Sequence, residues 1–269
     1  MTGSEDVIAR FSRSQQAAAR LRRWKLDVSK RRVVPWVLAH VTRVVDCIRP
    51  GDVLRISNSI AADRSRHALG QIKKADIEKI IEVRDWHPDF AFTHLMHFVI
   101  EDTGELPTFD EFIRHRIFKD ALYDDIRRQV ARAGRGAGQT EALAKAAVRW
   151  RIGNAYYSFL KEQYVISVMR SEGVDVRQHP LADALFRVDC WAAETNIDLY
   201  VRNKIFRSGD GNAGRKTRSG NLLSDTVPPF KNIVLEFAPR HTFGDVHLPD
   251  AGEVRRACKA LLSEGAAHS

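Results

Sequence analysis

Apolar residues recur at helical spacing through the first half of the chain. Val34, Val37, Leu38, Val41, Val45 and Ile48 fall on one helix face. Pro35 would occupy the first turn, where its missing N–H costs nothing, and Pro50-Gly51 would end the helix. Gln15 to Trp24, rich in Ala, Leu and Arg, also has helical character, whereas Val53-Leu-Arg-Ile56 fits a strand or a helix start. Further helices are expected near Ala75–Val83 and from about Asp89 to Ile100, stopping before Gly104. Thr108-Phe-Asp-Glu111 has capping-box spacing and should open a helix through about Ile117, with Lys119–Ala133 continuing in the same style.

The pattern changes at Ala133-Gly-Arg-Gly-Ala-Gly-Gln-Thr140, where closely spaced glycines predict a linker over 134–140. It would separate an all-helical domain, 1–133, from a second domain, 141–269. In the second, a long helix from about Thr140 to Arg170 should end at Gly173. Strand-like segments follow at Val174–Gln178, Leu185–Trp191, Ile197–Arg202 and Lys231–Phe237, and Glu253–Leu262 has the pattern of a terminal helix. An α/β domain on a small sheet is the expected architecture.

Two of those strand segments carry acids. Period-two alternation places Arg187, Asp189 and Trp191 opposite Phe186, Val188 and Cys190, and sets Asp198, Tyr200 and Arg202 apart from Ile197, Leu199 and Val201. Two acids on adjacent strands repel, which favours a bound cation or a shared proton. The preceding helix adds a third: Ile152, Ala155, Phe159, Glu162, Ile166 and Met169 share one face, and a carboxylate on an apolar stripe is costly unless paired or bound to a cation.

A helix Glu, a strand Asp and a second strand Asp, here Glu162, Val188-Asp189 and Asp198-Leu199-Tyr200, resemble the PD-(D/E)XK nuclease superfamily over roughly residues 148 to 240. The resemblance implies a restriction-endonuclease-like α/β core, a small central mixed sheet flanked by helices. It implies Mg²⁺ or Mn²⁺ held by Glu162, Asp189 and Asp198, with Asp183 and Glu194 as alternative acids, and metal-dependent hydrolysis of DNA phosphodiester bonds. Tyr200 stands where the family carries its Lys. Its hydroxyl would position a water or phosphate, Lys204 shares its strand face if the strand continues, and Lys216 lies in the following loop. The departure keeps an alternative in view: a non-catalytic DNA-binding or assembly subunit on a degenerate nuclease fold.

Charge agrees with a polyanionic partner. The 269 residues carry a net charge of +9, and Lys and Arg neutralise phosphates and release counterions. DNA is the expected partner, with RNA allowed by the same charge; the N-terminal helices would take DNA or a protein, and a homodimer is compatible. The loop from Arg202 to Arg218 holds Arg202, Lys204, Arg207, Arg215, Lys216 and Arg218, a basic arm suited to a nucleic-acid backbone. Gly209 to Thr217 nearly spells a phosphate-binding P-loop, but Arg215 is an extra residue and no helix start follows. Arg20 to Arg32, with Trp24 among its basic residues, suits either phosphate contact or a solvated helix face. His87, His94 and His97 lack the partners of a zinc site and are expected to be ordinary helix residues. No run of about 18 apolar residues predicts a membrane span. The N-terminus has no secretion-signal pattern, and Cys47, Cys190 and Cys258 are too far apart for a disulfide framework, which together suggest the cytoplasm.

Overall fold

A computed structural model describes residues 1–71, 76, 80–84, 86–135, 140–201, 219–243 and 246–266. The protein is mixed α/β, with a helical N-terminal region and small sheets. It packs as two compact units, residues 1–53 with 161–269, and residues 54–160. The N-terminal helices therefore pack with the C-terminal sheet rather than forming a domain apart, and the glycine-rich 134–140 stretch falls within the span of the second unit, its residues 136–139 outside the described ones.

The first unit begins with β1 (Thr2–Gly3), α1 (Ser4–Phe11), α2 (Gln15–Leu26) and α3 (Val33–Ala39), then β2 (Val41–Thr42), which pairs antiparallel with β1. The single helix expected over Val34 to Ile48 is thus broken. His40 is extended, Val41 and Thr42 pair in a ladder, and Val45–Cys47 form a 3-10 turn. β-branched residues suit the ladder, and burial of Val37, Val45 and Ile48 is achieved without one continuous helix. Pro50 opens α4 (Pro50–Ala62) instead of ending its predecessor, with the Asp52 carboxylate accepting from the Arg49 N–H at 2.9 Å. Residues 53–56 are therefore helical.

The second unit is helical, through Ile81–Arg84, Phe92–Thr103, Phe109–Arg114, Arg116–Arg135 and the first part of the 31-residue helix Glu141–Ser171. Much of the helix expected near Ala75–Val83 lies outside the described residues. Gly104 ends its helix at φ 79°, the left-handed conformation that favours glycine. The Thr108–Glu111 capping box forms, with the Thr108 N–H donating to Glu111 at 2.7 Å. One face of the long helix grips residues 67–69: Arg149 donates to the His67 carbonyl at 3.2 Å, and the Tyr157 hydroxyl accepts the Ala68 N–H at 2.8 Å. Between them a Cβ on Gly153 would meet the Ala68 backbone at 2.8 Å. Gly153→Ala is accordingly expected to destabilise by about 1–2 kcal/mol, overpacking outweighing the gain of ~1 kcal/mol in helix propensity, as a lower urea midpoint would record.

In the first unit the end of the long helix is tied by polar contacts. Arg170 donates to the Val176 carbonyl at 2.8 Å, to the Val45 carbonyl at 3.0 Å and to Asp46 at 2.7 Å. The buried amides of Gln163 and Gln178 bond reciprocally at 2.6 and 2.9 Å. His179 accepts the Leu181 N–H at 3.0 Å, and its other ring nitrogen lies 3.1 Å from the His40 carbonyl. With the Val176 carbonyl taken by Arg170, 174–178 forms only an isolated bridge, Arg177 to Trp191, and not the strand expected. Leu185–Trp191 also departs from expectation: Ala182–Phe186 is a π-helical turn, and only β3 (Cys190–Ala192) is strand. Leu185, Phe186 and Val188 are all buried, so apolar content there carries no period.

β3 joins β4 (Thr195–Val201) through a two-residue turn in which Ala193 has φ 44°. β4 in turn pairs in parallel with β5 (Lys231–Phe237), giving a mixed sheet ordered β3-β4-β5. A hairpin of β6 (Pro239–Phe243) and β7 (Val246–Pro249), absent from the sequence expectations, precedes the helix Ala251–Ala266. Phe11 packs on Phe186, Trp191 and Phe230 with centroids 5.3, 5.3 and 5.5 Å away, fastening α1 to this sheet.

Candidate active site on the mixed sheet

The β3–β4 ladder ends where Cys190 pairs with Ile197, so Asp189 lies one residue before its end and Asp198 one residue after it on β4. Asp189, at the bend before β3, accepts the Leu199 N–H at 2.9 Å, so its carboxylate is pinned to the backbone of the very strand that carries Asp198. Asp198 accepts from the Ser219 hydroxyl at 2.9 Å. Ser219 opens the short helix Ser219–Leu222 and is itself buried.

The face of β4 that carries Asp198 extends across the sheet. Asn196 and Asn232, paired in the β4–β5 register, bond side chain to side chain at 3.1 Å, and the Asn232 amide donates to the Phe230 carbonyl at 3.0 Å. Tyr200 is paired with Glu236 on this face; both are exposed, whereas Ile197 and Leu199 on the opposite face are buried. Ser219, Asn196, Asn232 and Glu236 were not picked out from sequence. Parity within β5 could have signalled Asn232 and Glu236, whereas Ser219 reaches Asp198 only through tertiary packing.

Electrostatics brings in Glu162. The buried Cys190 thiol is pushed well above its usual value, first by burial and then by Asp189, with Glu162 and Asp198 adding to the rise against Arg170. Glu162, Asp189 and Asp198 thus all lie within electrostatic range of this thiol. Beside Glu162, burial draws the Lys161 ammonium below its ordinary value while Glu162 opposes the fall. Among the described residues, no group of three His, Cys, Asp or Glu side chains is placed to hold a metal ion. Mg²⁺, however, usually takes one or two protein carboxylates and completes its shell with water and substrate phosphate. The Asp189–Asp198 pair fits that donor chemistry.

The other sequence candidates fall elsewhere. Glu194 is an ion-pair partner of Arg10 and Arg13, at 3.4 and 3.0 Å, and Asp183 lies on the π-helical turn. Arg202, Lys204, Arg207, Arg215, Lys216 and Arg218 lie outside the described residues. His94 and His97 are buried on the helix Phe92–Thr103, with His97 edge-on to Phe159. A cleft of about 700 Å³ opens in the helical unit, walled in part by Arg66, Glu105, Asp110 and Arg114, and contains none of the sheet acids. No described helix is long and apolar enough to cross a membrane.

Fold and site together define a mixed α/β protein with an acid pair and an amide–hydroxyl cluster on one face of a small mixed sheet. Comparisons with protein-family models, with curated proteins and with solved structures find no match to the chain.

Proposed function

We propose that this chain is a metal-dependent DNA endonuclease of restriction-endonuclease-like architecture, with Asp189 and Asp198 at its centre. The observation that carries the reading is that Asp189, at the bend before β3, bonds to the Leu199 N–H next to Asp198 on β4, while Asp198 accepts from Ser219. A cation held by two neighbouring carboxylates offsets their mutual repulsion. Support also comes from the mixed sheet with its parallel β4–β5 crossover and from Glu162 on the preceding long helix.

Asp189 and Asp198 would hold Mg²⁺ or Mn²⁺, with water and substrate phosphate filling the shell and Glu162 reaching it through water. When bound, the ion neutralises phosphate charge and acidifies a water for attack. The chain's own residues do the positioning. The Leu199 N–H fixes the orientation of Asp189 and the Ser219 hydroxyl that of Asp198. Tyr200, on the open end of the face, offers a phenol that can donate to a phosphate oxygen.

Tyr200 in the lysine position also favours a second reading, a DNA-binding subunit without chemistry. Assays of linear, supercoiled and single-stranded DNA with Mg²⁺ and with Mn²⁺ separate the two. Cleavage lost in Asp189→Ala and Asp198→Ala supports the endonuclease; cleavage retained by both variants removes the assigned site, and metal-independent binding alone establishes the second reading. Ser219→Ala, which removes only a positioning contact, is expected to lower the cleavage rate about 10–100-fold, with the deficit partly recovered at high Mn²⁺ concentration.

A further inference from the structure

Arginines gather where α2 meets the turn that leads to Asp189. α2 carries Arg20, Arg22, Arg23 and Lys25 and no acid. Its inner face, Ala17 and Leu21, is buried, and the helix packs against the π-helical turn Ala182–Phe186. That turn ends at Arg187, whose backbone is left-handed at φ 61° and ψ 27°, two residues before Asp189. A non-glycine residue in this region is uncommon and carries a conformational cost.

Arg20 and Arg23 stand one helical turn apart, and Arg187 lies near enough to act on Arg20 electrostatically. Burial draws the Arg20 guanidinium below its ordinary value, and Arg187 and Arg23 push the same way, with no acid opposing them. Among the described residues, none of the three guanidinium groups has a carboxylate partner. The acid next along the chain from α2, Asp27, is engaged by the Ser29 N–H and hydroxyl. By contrast, Arg10 and Arg13 just upstream share Glu194. Three like charges held together by α2 and a strained backbone turn, without a counter-charge, form a site for an anion with several charged oxygens.

We propose that Arg20, Arg23 and Arg187 form a cradle for the phosphodiester backbone, holding a DNA strand beside Asp189. The identity of the polymer rests on the endonuclease reading; the cradle rests on the arginines. Arginine suits this task because its planar fork donates to two phosphate oxygens at once.

Binding of a 16-base-pair duplex to the full chain, followed by fluorescence anisotropy across a salt series, tests it. Each phosphate contact contributes about 0.9 to the slope of log affinity against log salt. The Arg20→Gln/Arg23→Gln/Arg187→Gln variant should lose about 2.7 from that slope and bind at least ~10-fold more weakly at low salt. The corresponding triple Lys variant keeps the charges and should retain most of the slope. An unchanged slope in the Gln variant, an equal loss in the Lys variant, or no duplex binding by the parent protein overturns the cradle. Equal, arginine-dependent affinity for a polyglutamate peptide would assign the cluster to acidic protein surfaces and overturn it as well. Failure of the endonuclease reading is distinguishable: the Asp189→Asn/Asp198→Asn protein should bind duplex with the full slope, so absent cleavage combined with an arginine-dependent slope removes the chemistry and leaves the cradle.

Discussion

Asp198→Asn is expected to lower DNA cleavage on the order of 10³-fold, about 4 kcal/mol of transition-state stabilisation, while the protein stays folded. Asparagine keeps the size of the side chain and can still accept from the Ser219 hydroxyl, which now lies 2.9 Å from the Asp198 carboxylate. What it loses is charge. With one carboxylate neutral, repulsion from Asp189 disappears, and so does the reason for a cation to reside there. The variant should therefore stay close to the parent in urea stability, while its cleavage is lost. A parallel loss of stability and activity would instead mean that Asp198 serves the fold. Single-turnover cleavage of a labelled duplex, measured beside urea melts of the same preparations, separates the outcomes.

Arg170→Met should produce the largest change in stability, about 3 kcal/mol, near the lower end of the cost of breaking a buried ion pair because both partners retain some exposure. The guanidinium closes three contacts at once, to Val176, Val45 and Asp46, and joins the end of the long helix to the turn at 45–47. Methionine fills much of the volume and supplies none of the donors. The pH dependence identifies the cause. Burial raises the Asp46 carboxyl above its ordinary value, with Arg170 the leading influence against the rise. A raised folded-state value means the folded protein holds that proton more tightly than the unfolded chain. Its contribution to stability therefore falls as pH climbs from the ordinary value through the raised one. Without Arg170 that window widens upward, so the variant's deficit should be greatest at neutral pH and shrink once Asp46 is protonated. A deficit under about 1 kcal/mol at neutral pH, or one that grows on acidification, contradicts this account of the pair.

What the sequence disclosed was local. Thr108 and Glu111 are three residues apart, so their capping box is written in the spacing, and Gly104 and Gly173 mark helix ends where the chain turns left-handed. β5 forms over the expected residues Lys231–Phe237, where a short β-favouring apolar run marks a strand that β4 then pairs along its whole length. Elements decided by distant partners were misread. Val41 and Thr42 leave the helical pattern because Thr2 and Gly3 offer them a ladder. Leu185 and Phe186 coil into a π-helical turn because a segment buried on all sides has no period to read. The division of the chain was hidden for the same reason, since residues 1–53 pack with elements more than a hundred positions away. The hairpin that brings Asp189 near Asp198 was legible because eight intervening residues suffice for two short strands and a tight turn. Ser219 and Asn232, 21 and 34 positions beyond Asp198, come to the same face only through the parallel crossover.

The pairing of Asp189 with Asp198 as a cation site is tested most directly by electron paramagnetic resonance of added Mn²⁺, titrated into the parent protein and into Asp189→Asn/Asp198→Asn. The parent protein should remove free Mn²⁺ from the spectrum with a saturable stoichiometry, and Mg²⁺ should release it by competition. In the double variant that binding should vanish. Equal Mn²⁺ binding by both proteins, or none by the parent even with duplex DNA present to supply phosphate ligands, would contradict the assignment.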